Sequence, residues 1–117
     1  MGVVTNAFVN HIEPILTRLG LANFFQSFID GAVVKAYKPS PEPFRHAMKD
    51  LTSEPATTLY VGDEYYADIV GATQLDIDAI WINGRGHSLE EMLSRHGEQS
   101  RPTLVVRSVD HLVELLG

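Results

Sequence analysis

The feature that most restricts this chain is a set of short apolar runs at Val3–Thr5, Ala32–Val34, Thr58–Val61, Ala79–Ile82 and Leu104–Val106, each continuous rather than alternating. A strand with one wet face alternates polar and apolar residues. A run that is apolar throughout fits a strand covered on both faces, as in a parallel sheet. Helical patterns separate the runs. Ile12, Ile15, Leu16 and Leu19 recur at i, i+3, i+4 and i+7, with Gly20 placed to end the helix. Pro14 requires the first turn to begin close to it, flanked by Asn10 or His11. Asn23 to Ile29 reads as a short second helix burying Phe24, Phe25 and Phe28. Ser40-Pro41 supplies an N-cap and a proline at the first helical position, ahead of an apolar stripe of Phe44, Ala47, Met48 and Leu51. Glu64 to Leu75 reads as a fourth helix, Ser88 to Glu91 has capping-box spacing with Gly97 as the stop, and Val109, Leu112, Val113 and Leu116 mark a last amphipathic helix. This alternation predicts an α/β fold with a doubly wound, mostly parallel, Rossmann-like sheet, residues 1–117 forming a single partial core domain.

Composition narrows the function. The 117 residues suffice for one core, and 44% hydrophobic with 21% charged residues excludes a disordered chain. The absence of cysteine removes disulfides, thiolate metal sites and cysteine nucleophiles together, and is compatible with a reducing, cytoplasmic setting. Nine basic against 15 acidic residues leave a formal charge of −6, which argues against nucleic acid or an anionic membrane as partner. No apolar run approaches the roughly 20 residues of a membrane span.

In an open parallel sheet, ligands collect where the carboxyl ends of strands meet loops and helix N-termini. Thr5 and Asn6 follow the first run, Lys38 precedes Pro39-Ser40 after the second, and Gly62, Asp63, Glu64 and Asp68 follow the third. Asn83, Gly84, Arg85 and Gly86 follow the fourth. A hydroxyl, an amide and an ammonium at one edge can hold the oxygens of a phosphoryl group. Asp63 and Asp68 offer the hard oxygen donors that Mg²⁺ prefers, and the cation with Lys38 would reverse the local negative sign. Glycine at 62 would let backbone approach a ligand closely. Each residue also has a plainer reading: Thr5-Asn6 as a helix cap, Lys38 as a solvated lysine, Asp63 as an N-cap.

Taken together and in this order, three segments resemble successive motifs of the haloacid dehalogenase superfamily of phosphohydrolases. Val3-Val4-Thr5-Asn6 is similar to the second motif, Lys38-Pro39-Ser40-Pro41-Glu42-Pro43-Phe44 to the segment around the third-motif lysine, and Tyr60-Val61-Gly62-Asp63 through Asp68 to Ala72 to the fourth, acidic motif. Leu19 to Phe25 and Ala79 to Asn83 read like connecting elements of the same family, so the likeness runs over nearly the whole chain. The resemblance implies that Thr5 and Asn6 bind the substrate phosphoryl group and that Lys38 binds it and stabilises the attacking carboxylate. It implies that Asp63 ligates Mg²⁺ and that Asp68 ligates the ion or positions its water. Glu64 stands where many relatives carry a small polar residue.

The first motif of the family, an Asp-x-Asp carrying the nucleophile, does not precede Thr5. The Asp-x-Asp that is present, Asp76-Ile77-Asp78, falls before the fourth strand, at the amino edge of the sheet. The cap that usually follows the first motif is absent too. The resemblance therefore implies the carboxyl-terminal part of a catalytic core. The full enzyme would remove phosphate, rather than halide, from a small phosphorylated metabolite, and this chain alone would be inactive. The alternative is a non-catalytic module. Family sheets place the first-motif strand between those ending at Thr5 and Gly62, so its absence would leave open edges that recruit a complementing chain or a second copy as a homo-oligomer. A receiver-like or flavodoxin-like reading would make Asp63 a phosphoacceptor, but Lys38 followed by Pro-x-Pro does not fit it. The five histidines show no metal-ligand spacing.

Overall fold

The computed structural model of the chain describes residues 1–6 and 9–116; the side chains of residues 9–13, 33 and 116 are not among those described, so the Ile12 and Leu116 positions of the expected stripes lie outside them. The chain is α/β and every strand pair is parallel. Among the described residues the strands form two sheets, one in each of two compact units, Met1–Glu54 and Pro55–Gly117.

In the first unit, β1 (Gly2–Thr5) pairs with β2 (Ser27–Asp30), Gly2 opposite Ser27 and Thr5 opposite Asp30. Between them, α1 (Val9–Arg18) packs on β2. It begins at Val9, so Pro14 lies inside the helix, not at its first turn, and forgoes one backbone bond there. The region after Gly20 reverses the expected order. Ala22–Phe24 is a single 3₁₀ turn, Ser27–Asp30 is the strand, and Ala32–Val34 is not a strand but part of the short α2 (Gly31–Val34). Periodicity cannot separate such short apolar runs into helix and strand; pairing with β1 decides the matter. That pairing buries Ser27, Ile29 and Asp30, and Ser27 Oγ donates to Asp50 on α3 at 2.9 Å. α3 (Pro41–Leu51) has Pro41 in its first turn and buries Pro43, Phe44 and Ala47 against β1 and β2. Ser40 occupies the N-cap position but makes no side-chain cap bond.

In the second unit the order is β3 (Leu59–Gly62), β4 (Asp78–Ile82), β5 (Leu104–Val106), with Gly62 opposite Trp81 and Ile82 opposite Val106. The middle strand is the most buried. Ile80, with partly buried Ile82, joins Val106 and Leu112 of α6 (Val109–Leu116) in one core cluster. β3 departs from the expectation of two covered faces: Leu59 is 53% and Val61 40% exposed, and as alternate residues they share one uncovered face. The expected helix after Asp63 is a π-helical segment, Tyr65–Val70, running into α4 (Gly71–Thr73); side-chain spacing over so few residues does not distinguish the wider turn. α5 (Leu89–His96) starts as its sequence predicts, with the Glu91 N–H donating to Ser88 Oγ at 3.2 Å, and it stops at Gly97, whose φ is +96°.

Candidate active site

In the first unit, Thr5 ends β1 and Asn6 follows it. The Asn6 side chain closes on the main chain of Lys38: Lys38 N–H donates to Asn6 Oδ1 at 3.0 Å, and Asn6 Nδ2 donates to the Lys38 carbonyl at 3.4 Å. Two loops distant in sequence are thus tied at the carboxyl end of β1. Asn6, read from sequence as a phosphoryl contact, here spends its amide on placing Lys38. Tyr37 packs its ring on Gly31, where a Cβ would stand 2.1 Å from a ring carbon, which helps set the turn that delivers Lys38. The Lys38–Pro39 peptide bond is cis. Sequence reasoning passed over Asp30. It is buried at 5% exposure, and its register partner is Thr5. Its position became visible only once 27–30 proved to be a strand.

In the second unit, Asp63 follows Gly62 at the carboxyl end of β3. Its carboxylate is exposed and has no hydrogen-bond or ion-pair partner among the described residues. It is not a helix cap: Glu64 occupies that position, without a side-chain cap bond. Asp68 differs in every respect. It is 4% exposed; Oδ1 accepts from Tyr60 Oη at 3.0 Å and Oδ2 accepts from the Glu64 N–H at 3.1 Å. Burial, and then the Asp68 charge, push the Tyr60 phenol well above the ordinary tyrosine range, so it stays protonated and donating. Gly62 is needed for this arrangement rather than for a ligand's approach, since a Cβ there would stand 2.4 Å from Asp68 Oδ2 and 2.5 Å from its Cβ.

The remaining sequence candidates divide similarly. Asn83 closes its own loop, donating to the His87 carbonyl at 2.7 Å and accepting from the His87 N–H at 3.0 Å. Arg85 sits 4.0 Å from Glu64, both largely exposed, a contact worth little. Asp78 lies level with Leu59, at the opposite end of the sheet from Gly62, so Asp76-Ile77-Asp78 is remote from Asp63. A cavity of about 340 Å³ opens beside Asp63, with Trp81 and Tyr65 in its wall and Arg85 and Arg95 among its lining.

Residues 1–82 match the family described as haloacid dehalogenase-like hydrolase, more than half of the chain. The chain belongs to that family. The phosphoglycolate phosphatase of Colwellia psychrerythraea is 32% identical over 99 residues, 85% of this chain and 43% of that protein. The glyceraldehyde 3-phosphate phosphatase of Methanothermobacter thermautotrophicus is 28% identical over 117 residues, 99% of this chain and 50% of that protein. The crystal structure of a 2-haloacid dehalogenase from Pseudomonas syringae matches with a TM-score of 0.75 at 28% identity, over 98% of this chain and 45% of that one. The chain thus spans half or less of the length of these relatives.

Within the family fold, the donor chemistry of Asp63 suits Mg²⁺. That ion takes one or two carboxylates and keeps several waters, and Asp63 presents an exposed, uncommitted carboxylate. Asp68 fits less well as a direct ligand, because each of its oxygens already accepts a hydrogen bond. Among the described residues no three His, Asp or Glu side chains converge as a metal cage. No helix among them is long and apolar enough to cross a membrane.

Proposed function

We propose that this chain contributes the phosphoryl-holding and cation-holding part of a phosphohydrolase that acts on a small phosphorylated metabolite in the cytoplasm. The observation that carries this reading is the Asn6–Lys38 clasp, which puts the end of β1 and an ammonium-bearing loop at one place. Thr5 and Lys38 bind the phosphoryl oxygens, and the Lys38 charge stabilises negative charge as it develops during transfer. Asp63 would hold Mg²⁺, which supplies positive charge suited to an anionic substrate. Asp68 and Tyr60 keep the Asp63 loop in place. Phosphatase names on the curated relatives favour a phosphate ester over a halide.

In this reading the nucleophilic carboxylate is supplied by a separate segment carrying Asp-x-Asp. The test is hydrolysis of an aryl phosphate with and without Mg²⁺. The chain alone is expected to be silent, and vigorous Mg²⁺-dependent turnover would refute the assignment. Addition of a peptide carrying a strand with Asp-x-Asp should restore turnover, and Lys38→Ala in that mixture should lower kcat/KM about a hundredfold or more. A rate unchanged by the substitution removes Lys38 from the site.

A second reading, a non-catalytic module that pairs with another chain or itself, draws on one observation. Among the described residues β1 and β3 each have a single strand partner, so each lies at an edge of its sheet where a further strand could add. A monomer in sedimentation at all concentrations would count against it.

A further inference from the structure

The peptide joining Asp63 to Glu64 is one planar unit, and two side chains grip its two polar ends. Trp81 Nε1 donates to the Asp63 carbonyl at 3.2 Å, while the Glu64 N–H donates to Asp68 Oδ2 at 3.1 Å. The grips come from different elements, Trp81 from β4 and Asp68 from the π-helical segment. Each is itself braced. Trp81 is 1% exposed, with the Tyr65 ring edge-on to it at 4.8 Å, and the Tyr65 hydroxyl is fixed on the Ser100 carbonyl at 3.0 Å. Asp68 is held by Tyr60. A peptide plane held at both C=O and N–H cannot turn without breaking two hydrogen bonds, so the direction in which residue 63 projects its side chain is set from both sides.

We propose that Trp81 is a positioning residue that acts through the Asp63 carbonyl and aims the exposed Asp63 carboxylate at a divalent cation. This rests on the reading of Asp63 as a cation ligand. Any large apolar residue could fill the core at position 81. In the run Ala79–Ile82, only tryptophan joins an apolar body to an N–H donor.

Trp81 is the sole tryptophan of the chain, so one indole N–H signal in a ¹⁵N spectrum reports on it directly. In the unaltered chain this proton should exchange with solvent at least about tenfold more slowly than a free indole; free exchange overturns the proposal without any variant. Trp81→Phe keeps a flat apolar ring and removes the donor. The Glu64 amide should then exchange about fivefold faster, the equivalent of about 1 kcal/mol, while amides of β4 and β5 keep their rates. An unchanged Glu64 rate, or uniform acceleration throughout the sheet, would reduce Trp81 to a packing residue. Titration with Mg²⁺ alone should move the indole signal in the unaltered chain and not in Asp63→Asn, and Trp81→Phe should weaken Mg²⁺ binding about fivefold. A Mg²⁺ response that survives Asp63→Asn overturns the ligand reading of Asp63, whereas the exchange data judge the grip on the peptide separately.

Discussion

Gly62→Ala is the sharpest perturbation of the loop that carries Asp63. The added Cβ would stand 2.4 Å from Asp68 Oδ2 and 2.5 Å from both Cβ and Cγ of Asp68. These include the root of the side chain, so a rotamer change does not relieve the clash and Asp68 must move bodily. Gly62 has no positive φ, so alanine brings no backbone strain of its own and the effect isolates the contact. Displacing Asp68 forfeits the bonds from Tyr60 Oη and the Glu64 N–H. Hydrogen bonds to a charged group are worth about 1.5–3 kcal/mol each, so the loss is about 3–6 kcal/mol. For a chain of this size that lowers Tm by roughly 10 °C or more. Urea titration followed by the fluorescence of Trp81 measures it. The decisive comparison is the Asp68→Gly background, where the Cβ, Cγ and Oδ2 that obstruct are all gone and Gly62→Ala should cost less than about 1 kcal/mol. An equal cost in both backgrounds would refute the contact as the reason for glycine at 62.

Two further expectations follow from single groups. Burial raises the phenol pKa of both Tyr60 and Tyr65, for Tyr60 with help from the Asp68 charge; the stability they confer is therefore complete below the ordinary tyrosine value of 10.0 and is lost as pH climbs beyond it. The urea midpoint should fall as pH rises above about 10, and Tyr60→Phe should flatten that fall; a midpoint equally steep in the variant excludes Tyr60 as its source. Ser88→Ala removes the acceptor at the start of α5 and should cost about 1 kcal/mol by the same titration, a neutral result meaning that the Glu91 N–H finds another partner.

Much of the architecture is legible in short stretches. α3 is announced by Pro41 and the stripe of Phe44 and Ala47, and α5 by Ser88, Glu91 and Gly97. β1, β3, β4 and β5 stand within a residue or two of their apolar runs. Residues 22–34 are not legible in this way. Their phenylalanines suit either a helix or a strand, and Phe24, expected in the core, is 56% exposed.

The candidate site divides along the same line. Thr5, Lys38 and Asp63 can be picked from order and spacing alone, because each follows an apolar run or precedes a helix start. Asn6 as the clasp on Lys38, Asp68 as the brace of the Asp63 loop, Tyr60 and Trp81 as its supports, and Asp30 beside Thr5 leave no trace in local pattern. The chain by itself determined which segments fold and which polar groups stand at strand ends, since caps, turns and apolar runs act over a few neighbours. Tertiary structure alone decided which of those groups are spent on holding others and which remain exposed, because a hydrogen bond between elements depends on distances that folding creates.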